Sequence, residues 1–252
     1  MDYNLVVILG PTASGKTGLA VRLARALRSE VISADSRQVY RGMDIGTGKD
    51  LDEYLRGGVP VPCHLIDIVD PREEFNVFEF QRRFYDCFSC LRSRGLVPVL
   101  VGGTGLYIES VLKEYEMLEV PEDRALRAAL ADMDEDALTK RLVEAGPRLH
   151  NTTDLSDRKR LIRAIEIAEF TKKSRGRNEG PVRPEIVPLV TGVRFERAEL
   201  RRRITRRLEE RIAAGLIEEV AGLHAAGISW ERVDAFGLEY RYVGLHLRGM
   251  LD

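Results

Sequence analysis

The chain has 252 residues, of which 44% are hydrophobic, and its formal net charge is −1 at pH 7. A chain of this length can bury a full core, so we expect one large domain or a domain with a smaller one inserted. No apolar stretch reaches the roughly 18 residues of a membrane span, and residues 1–4 lack the pattern of a signal peptide. We therefore expect a cytoplasmic protein that does not contact a membrane. We also expect it to act as a monomer.

Five short apolar runs recur along the chain, with helical segments between most of them. They are Leu5–Leu9, Val31–Ala34, Leu65–Val69, Val97–Val101 and Ile186–Val190. Continuous apolar runs separated by helices predict an α/β fold, with a parallel sheet covered by helices on both faces. One of those helices is predicted over Phe75–Arg94, and Gly95 ends it.

The strand–helix alternation stops between about Pro121 and Lys173, where only amphipathic helical patterns occur. We interpret this region as a small inserted helical domain, and a hinge at Gly176–Pro184 returns the chain to the sheet. The alternative is that these helices pack on the sheet as ordinary crossovers. The predicted division is a first core part at 1–116, the helical insert at 117–184 and a second core part at 185–252.

The most specific motif directly follows the first predicted strand and reads G-x-x-x-x-G-K-[ST], the P-loop pattern. Its backbone N–H groups can surround phosphate oxygens, Lys16 supplies a positive charge and Thr17 can hold Mg²⁺. The residues of this predicted phosphate site are Gly10, Pro11, Thr12, Ala13, Ser14, Gly15, Lys16 and Thr17. Kinases, NTPases and transferases all use such a loop, so it does not by itself define the reaction.

Polar residues also follow the other predicted strands, at the sheet edge where ligands of α/β proteins bind. Asp35 follows the second strand, where a carboxylate can accept a proton from a nucleophile that faces the bound phosphate. Alternatively, Asp35 caps the following turn or binds water on Mg²⁺. Gly102–Thr104 allows a close approach to a ligand, and Arg203 lies in a basic helix from which it can reach a leaving phosphate.

Two stretches of the chain are strongly basic, although the net charge is near zero. Residues 158–177 and residues 194–211 contain eight Lys or Arg each. Such stretches fit an RNA-binding surface, and they also fit solvated helix faces with i,i+4 ion pairs. The three cysteines, Cys63, Cys87 and Cys90, are expected to be reduced structural thiols, because they cannot pair completely and form only one C-x-x-C pair.

Four segments, in this order and at this spacing, resemble the bacterial tRNA dimethylallyltransferases. They are Gly10–Thr17, Ile32–Lys49, His64–Pro71 and Val101–Ile108. Weaker similarity continues through Asp157–Glu166 and Arg203-Ile204 to Gly237–Tyr240, so the resemblance spans nearly the whole chain. It implies a P-loop NTPase-like fold in which the P-loop holds a diphosphate that leaves.

The implied reaction transfers a dimethylallyl group from dimethylallyl diphosphate to N6 of the adenosine at position 37, in the anticodon loop of tRNA. By matching motifs, Asp35 is the base for the N6 proton and Thr104 touches the substrate beside it. Lys16, Thr17 with Mg²⁺ as the cofactor, and Arg203 stabilise the departing diphosphate. The target base must be unstacked. The implied tRNA contacts are Asp35, Ser36, Arg37, Gln38, Thr104, Arg127, Lys159, Arg160 and Arg163.

The chain departs from this family at two places. Family members usually carry a further helix with a Lys-Arg-Gln-type basic motif, whereas this sequence stops at Asp252, so we expect a shortened second core part. Thr153–Asp157 also stands where the family usually has His-Pro-Asn-Asp. Fewer basic residues are expected to weaken contacts to the RNA backbone and to leave the chemical centre complete.

Three other functions stay open. An adenylate isopentenyltransferase shares the P-loop and Asp35, but a mononucleotide needs neither the helical insert nor its basic run. A small-molecule kinase that uses ATP fits the P-loop but leaves Gly102–Thr104 and the insert unexplained. A catalytically silent RNA-binding relative is compatible with the shortened end.

Overall fold

The computed structural model describes residues 2–115, 117, 119–146, 157–174 and 183–251. Most of the predicted hinge Gly176–Pro184, most of Thr153–Asp157, and two basic residues, Arg175 and Arg177, lie outside these ranges. The chain divides into two compact units, Met1–Glu114 with Arg183–Asp252 and, separately, Tyr115–Val182.

Strands and helices alternate along the first part of the chain, and helices dominate after β4. In chain order, the elements are β1 (Leu5–Leu9), α1 (Lys16–Ala26), β2 (Val31–Ser33), α2 (Leu51–Leu55), β3 (Cys63–His64), α3 (Val77–Ser93), β4 (Val99–Gly102), α4 (Gly105–Leu112), α5 (Arg124–Leu130), α6 (Glu135–Ala145), α7 (Arg158–Ser174), β5 (Pro188–Gly192), α8 (Arg197–Ala213), α9 (Leu216–Ala225), α10 (Trp230–Ala235) and α11 (Leu238–Leu247).

The five strands form one parallel sheet in the order β3-β2-β4-β1-β5. Successive residues of β1 face opposite sides because side chains alternate along a strand. Leu5 and Val7 pack with α3 and α4, whereas Val6 and Ile8 pack with α1. The predicted α/β fold with helices on both faces is therefore confirmed.

The third strand lies elsewhere than predicted. The sequence predicts it at Leu65–Val69, but β3 is Cys63–His64 and pairs with β2. Leu65 and Asp67 have positive φ angles of 63° and 56°, and this left-handed conformation ends the extended backbone. Within the predicted run, Val69 alone makes an isolated parallel bridge, to Tyr40.

Helix α3 covers most of the predicted span Phe75–Arg94. It begins where the Asn76 side chain accepts a hydrogen bond from the Glu79 backbone N–H at 3.0 Å, an N-cap interaction. After its last turn, Gly95 has φ 75°, which glycine adopts without steric cost. Its apolar face buries Phe80, Phe84 and Phe88 against the sheet.

Helices α9–α11 enclose a further hydrophobic cluster next to the segment that follows β2. Tyr40 and Met43 of that segment pack with Leu216, Phe236 and Tyr240. The loop that follows β2 is thus anchored on a helical layer as well as on the sheet. This matters for function because the loop carries Asp35.

The unit Tyr115–Val182 contains helices α5–α7 and has a core of its own. That core consists of Leu130, Leu138, Leu142, Leu161, Ile165 and Ala168. Side chains of Asp123 and Asp134 cap the N-termini of α5 and α6. A separate core fits an inserted helical domain, for which the bounds 117–184 stay a prediction. None of the helices in the described ranges is both long enough and apolar enough to span a membrane.

Candidate active site

The P-loop connects the carboxyl end of β1 to the start of α1. Ala13 and Gly15 have φ angles of 58° and 75°, which turn the backbone sharply before α1 begins. The Ser14 hydroxyl is buried and has no hydrogen-bond partner among the described residues. A buried hydroxyl without a partner is costly, so the Ser14 hydroxyl is a donor that a bound anion could satisfy.

Lys16 is half-buried at the start of α1, and its ammonium donates to the Pro11 carbonyl at 3.2 Å. Burial lowers the pKa of Lys16, and the positive charge of Arg207 lowers it further, while Asp35 and Asp50 act in the opposite direction. These groups therefore share one electrostatic environment. A bound anion would restore favourable interactions to this lysine.

Asp35 caps the turn that follows β2, which is one of the alternatives that the sequence leaves open for it. Its Oδ1 accepts the backbone N–H of Arg37 at 2.8 Å and that of Gln38 at 3.3 Å, so the carboxylate caps the turn after β2. No group among the described residues donates to its Oδ2. Capping through one oxygen fixes the orientation of the carboxylate and leaves the other oxygen available as a proton acceptor.

Thr104 lies beside the Asp35 turn, since its Oγ1 accepts the backbone N–H of Ser36 at 3.2 Å. Of the two glycines before it, Gly102 is the one that a close backbone approach requires. A Cβ at Gly102 would overlap the carbonyl oxygen of Ala34, and a Cβ at Gly103 would lie 3.7 Å from Lys16 Nζ. The ends of β1, β2 and β4 thus bring the P-loop, Asp35 and Thr104 together, as the sequence predicts.

Helix α8 presents two arginines one turn apart, and the structure places them in different environments. The predicted Arg203 donates through Nε to Glu199 at 3.0 Å and stacks over Phe195 at 4.1 Å from the ring centroid. Arg207 instead donates to Asp50 Oδ2 at 2.7 Å and contributes to the lowered pKa of Lys16. Sequence reasoning missed Arg207, although its i,i+4 spacing from Arg203 indicates the same helix face.

Among the other predicted tRNA contacts of this unit, Gln38 is already engaged. Its Nε2 donates to the Gly48 carbonyl at 2.9 Å, and its Oε1 accepts from the Ser33 hydroxyl at 3.0 Å. Arg207 donates to the same carbonyl at 3.2 Å. Gln38 thus links the Asp35 turn to the Arg207 environment.

In the unit Tyr115–Val182, two of the predicted tRNA contacts, Arg127 and Arg163, pair with Glu166. Arg127 forms a bidentate contact at 3.0 and 3.2 Å, and Arg163 NH1 also donates to this carboxylate. Burial alone would raise the pKa of Glu166, but hydrogen bonds from both arginines outweigh it and lower the pKa. Lys159 and Arg160 are exposed on α7, where Arg160 also pairs with Asp157 at 3.6 Å.

The described residues around the P-loop offer few metal ligands, so they fit a cation whose remaining ligands come from the substrate and from water. Within the described ranges, no group of three or more His, Cys, Asp or Glu residues forms a metal site. Thr17 adds one hydroxyl next to Lys16, and hard cations such as Mg²⁺ complete their oxygen shell with phosphate and water. The three cysteines are free thiols, and burial raises the pKa of Cys63 and Cys87 to about 12.

The fold and this loop define the class of the protein, an α/β protein with a P-loop. The family described as IPP transferase matches residues 38–252, and the family described as isopentenyl transferase matches residues 3–60. The chain belongs to the IPP transferase family and is a prenyltransferase. Enzymes that use prenyl diphosphates generally require a divalent metal ion.

Similar proteins cover the chain from end to end. A tRNA dimethylallyltransferase 1 from Syntrophus aciditrophicus is 63% identical over 252 residues, which are 100% of this chain and 82% of that protein. The tRNA dimethylallyltransferase 1 of Geotalea daltonii is 57% identical over the same length, with 80% of that protein covered.

Solved structures agree with this membership. The tRNA isopentenylpyrophosphate transferase of Bacillus halodurans matches with a TM-score of 0.64 and 37% identity, covering 98% of this chain and 78% of that one. A eukaryotic dimethylallyltransferase acting on tRNA matches with a TM-score of 0.73 and 26% identity, covering 91% of this chain and 59% of that one.

Proposed function

We propose that this chain transfers the dimethylallyl group of dimethylallyl diphosphate to N6 of adenosine 37 in the anticodon loop of tRNA. The observation that carries the proposal is the placement of Asp35, whose Oδ2 accepts no hydrogen bond from the described residues, close enough to Lys16 of the P-loop to influence the pKa of that lysine. The similar proteins named as tRNA dimethylallyltransferases support the choice of substrate.

The proposed chemistry forms one carbon–nitrogen bond and breaks one carbon–oxygen bond. The N6 lone pair attacks the allylic carbon, diphosphate leaves with the electrons of the broken bond, and Asp35 accepts the N6 proton. An exocyclic adenine amine is a poor nucleophile. The rate must therefore come from stabilising the leaving group and from holding N6 in line with the allylic carbon.

The diphosphate would be held by Gly10–Thr17, with the Ser14 hydroxyl and Lys16 as its polar partners. Thr17 would hold Mg²⁺, which neutralises charge on a diphosphate when it is bound. The role predicted for Arg203 stays a proposal. The position of Arg207 beside Lys16 adds this second arginine as a candidate for the same role.

The tRNA is proposed to contact the Asp35 turn through Ser36, Arg37 and Thr104, and the unit Tyr115–Val182 through Lys159 and Arg160. The Ser36 N–H to Thr104 contact supports the first set, because it places both residues next to Asp35. Exposure on α7 supports the second set. The enzyme is proposed to act as a cytoplasmic monomer.

The test is a reaction with Mg²⁺, dimethylallyl diphosphate and an unmodified anticodon stem-loop, followed by mass spectrometry of the nucleosides. Asp35→Asn keeps an oxygen that can cap the turn but removes the base, so we expect the turnover rate to fall about 10²–10⁴-fold. Asp86→Asn, at an exposed position of α3 that has no role in the proposed chemistry, is the matched control. Product from AMP without product from the stem-loop would favour an adenylate prenyltransferase, and no product from either would favour a silent relative.

A further inference from the structure

Two of the segments that resemble the family meet at one buried lysine, which the proposed chemistry does not use. Lys49 is the last residue of the segment Ile32–Lys49, and Asp67 belongs to the segment His64–Pro71. The Lys49 side chain is only 1% exposed. Its ammonium donates to the Tyr40 carbonyl at 2.8 Å, to Asp44 Oδ1 at 2.5 Å and to Asp67 Oδ1.

These three contacts satisfy every donor of the ammonium, which is what burial of a lysine requires. They also join three parts of the chain that are separate in sequence. Tyr40 follows β2, Asp67 follows β3, and Asp44 lies in the loop between Tyr40 and α2. Lys49 therefore fixes the loop against the ends of two strands.

The residues on either side of Lys49, Gly48 and Asp50, accept hydrogen bonds from side chains of the candidate site. The Gly48 carbonyl accepts from Gln38 at 2.9 Å and from Arg207 at 3.2 Å. On the other side, Asp50 accepts from Arg207 at 2.7 Å. The two groups that hold the Arg207 guanidinium, the Gly48 carbonyl and the Asp50 carboxylate, thus belong to the residues on either side of Lys49. The Gly48 carbonyl also orients the side chain of Gln38, which lies three residues after Asp35.

We propose that Lys49 is a positioning residue for the transfer reaction, which fixes residues 48–50 so that Arg207 is held toward Lys16 and the diphosphate. The inference rests on the proposed function for the identity of the reaction. It does not rest on that function for the anion site, because Arg207 is close enough to Lys16 for its charge to lower the pKa of that lysine. A positive charge stabilises a leaving group efficiently only if it is already held in the right position, so the residues that hold it must stay fixed.

The first test is Lys49→Met, which keeps the length of the side chain and removes the ammonium. Asp44 and Asp67 are 57% and 38% exposed, so water can solvate them in the variant and the chain is expected to fold. We expect a roughly 10-fold weaker affinity for inorganic diphosphate by calorimetry. We also expect a roughly 10–100-fold lower kcat, with the KM for tRNA changed less than about 3-fold.

A double-mutant cycle separates positioning from simple structural support. If Lys49 acts through Arg207, Arg207→Gln will weaken diphosphate binding in the wild-type background and add little in the Lys49→Met background. Ser14→Ala reaches the same ligand from the P-loop, so its effect is expected to add to that of Lys49→Met. Additivity of Lys49→Met with Arg207→Gln would overturn the proposal.

Asp67→Asn is the second variant, and it also decides the matter should Lys49→Met not fold. It loosens Lys49 but makes the region more positive, so a general charge effect would strengthen diphosphate binding, whereas loss of positioning weakens it. Stronger or unchanged binding would overturn the proposal. Diphosphate binding is measured without turnover, so a wild-type chain that binds diphosphate but prenylates no RNA contradicts the proposed function and not the role of Lys49.

Discussion

Lys16 occupies its place in the P-loop at a cost in folding free energy. Its pKa is lowered by burial, which means that the folded chain disfavours the charged ammonium that the unfolded chain solvates. Functional sites commonly retain such costs because the ligand later interacts with the unfavourable group.

We predict that Lys16→Met removes transfer activity and raises the free energy of unfolding by about 1 kcal/mol at pH 7. Below the lowered pKa, Lys16 is charged in both states, so the wild type bears the full cost. As pH rises through that pKa toward the ordinary value of 10.5, the folded wild type deprotonates and the advantage of the variant disappears.

Urea unfolding of both proteins between pH 7 and 10.5 measures this difference. Lys140→Met, at an exposed position of α6, is the control and is expected to show no such pH-dependent gain. A Lys16→Met variant that is less stable than the wild type at pH 7 would contradict the explanation by burial.

At the scale of elements, α8 carries two arginines that are both candidates for stabilising the leaving diphosphate. Arg203 is engaged with Glu199 and Phe195, whereas Arg207 belongs to the environment of Lys16. We expect Arg207→Gln to lower kcat/KM about 100-fold and Arg203→Gln to lower it several-fold less, because Arg207, and not Arg203, contributes to the lowered pKa of Lys16.

Steady-state kinetics of the two variants decides between the arginines, since both changes are identical in chemistry and lie on one helix. Circular dichroism checks that α8 stays folded in each. A larger loss for Arg203→Gln would support the assignment made from sequence similarity.

The same helix shows how far sequence reasoning reaches. The alternation of strands and helices predicts the sheet. The proximity of the P-loop, Asp35 and Thr104 is also predictable, because the carboxyl ends of parallel strands meet at one edge of a sheet. Which arginine of a basic helix faces the site depends on helix rotation and on local partners such as Glu199, which spacing alone does not fix. The prediction for the third strand is wrong because Leu65 and Asp67 have positive φ angles, and the Asp67 backbone N–H donates to the Gln38 carbonyl at 3.1 Å, a contact that no apolar pattern records.

At the scale of the whole molecule, the predicted tRNA contacts in α5 and α7 are of two kinds. Lys159 is exposed and has no hydrogen bond or ion pair among the described residues. Arg163 donates to buried Glu166 and to the Val120 carbonyl at 2.8 Å. A cation already paired with a carboxylate releases fewer counterions from RNA when it binds.

We predict that Lys159→Ala lowers the slope of log affinity against log salt by up to about one unit, because one phosphate contact is lost. Arg163→Gln should leave that slope nearly unchanged and lower the melting temperature instead, because Glu166 loses a buried partner. Filter binding of an anticodon stem-loop at several salt concentrations, together with thermal unfolding, measures both. If Arg163→Gln lowers the slope of log affinity against log salt more than Lys159→Ala does, this arginine reaches the RNA despite its ion pair.

The order of strands in the sheet also sets an order in time. Strand β1 carries the P-loop, yet its two neighbours are β4, at residues 99–102, and β5, at residues 188–192. During synthesis, one edge of the phosphate-binding strand β1 therefore stays unpaired until nearly a hundred further residues have been made. Its other edge stays unpaired until nearly two hundred further residues have been made. The helices α5–α7, with a core of their own, are complete before β5 exists. The nascent chain can fold its helical unit before it has a finished sheet on which to bind diphosphate.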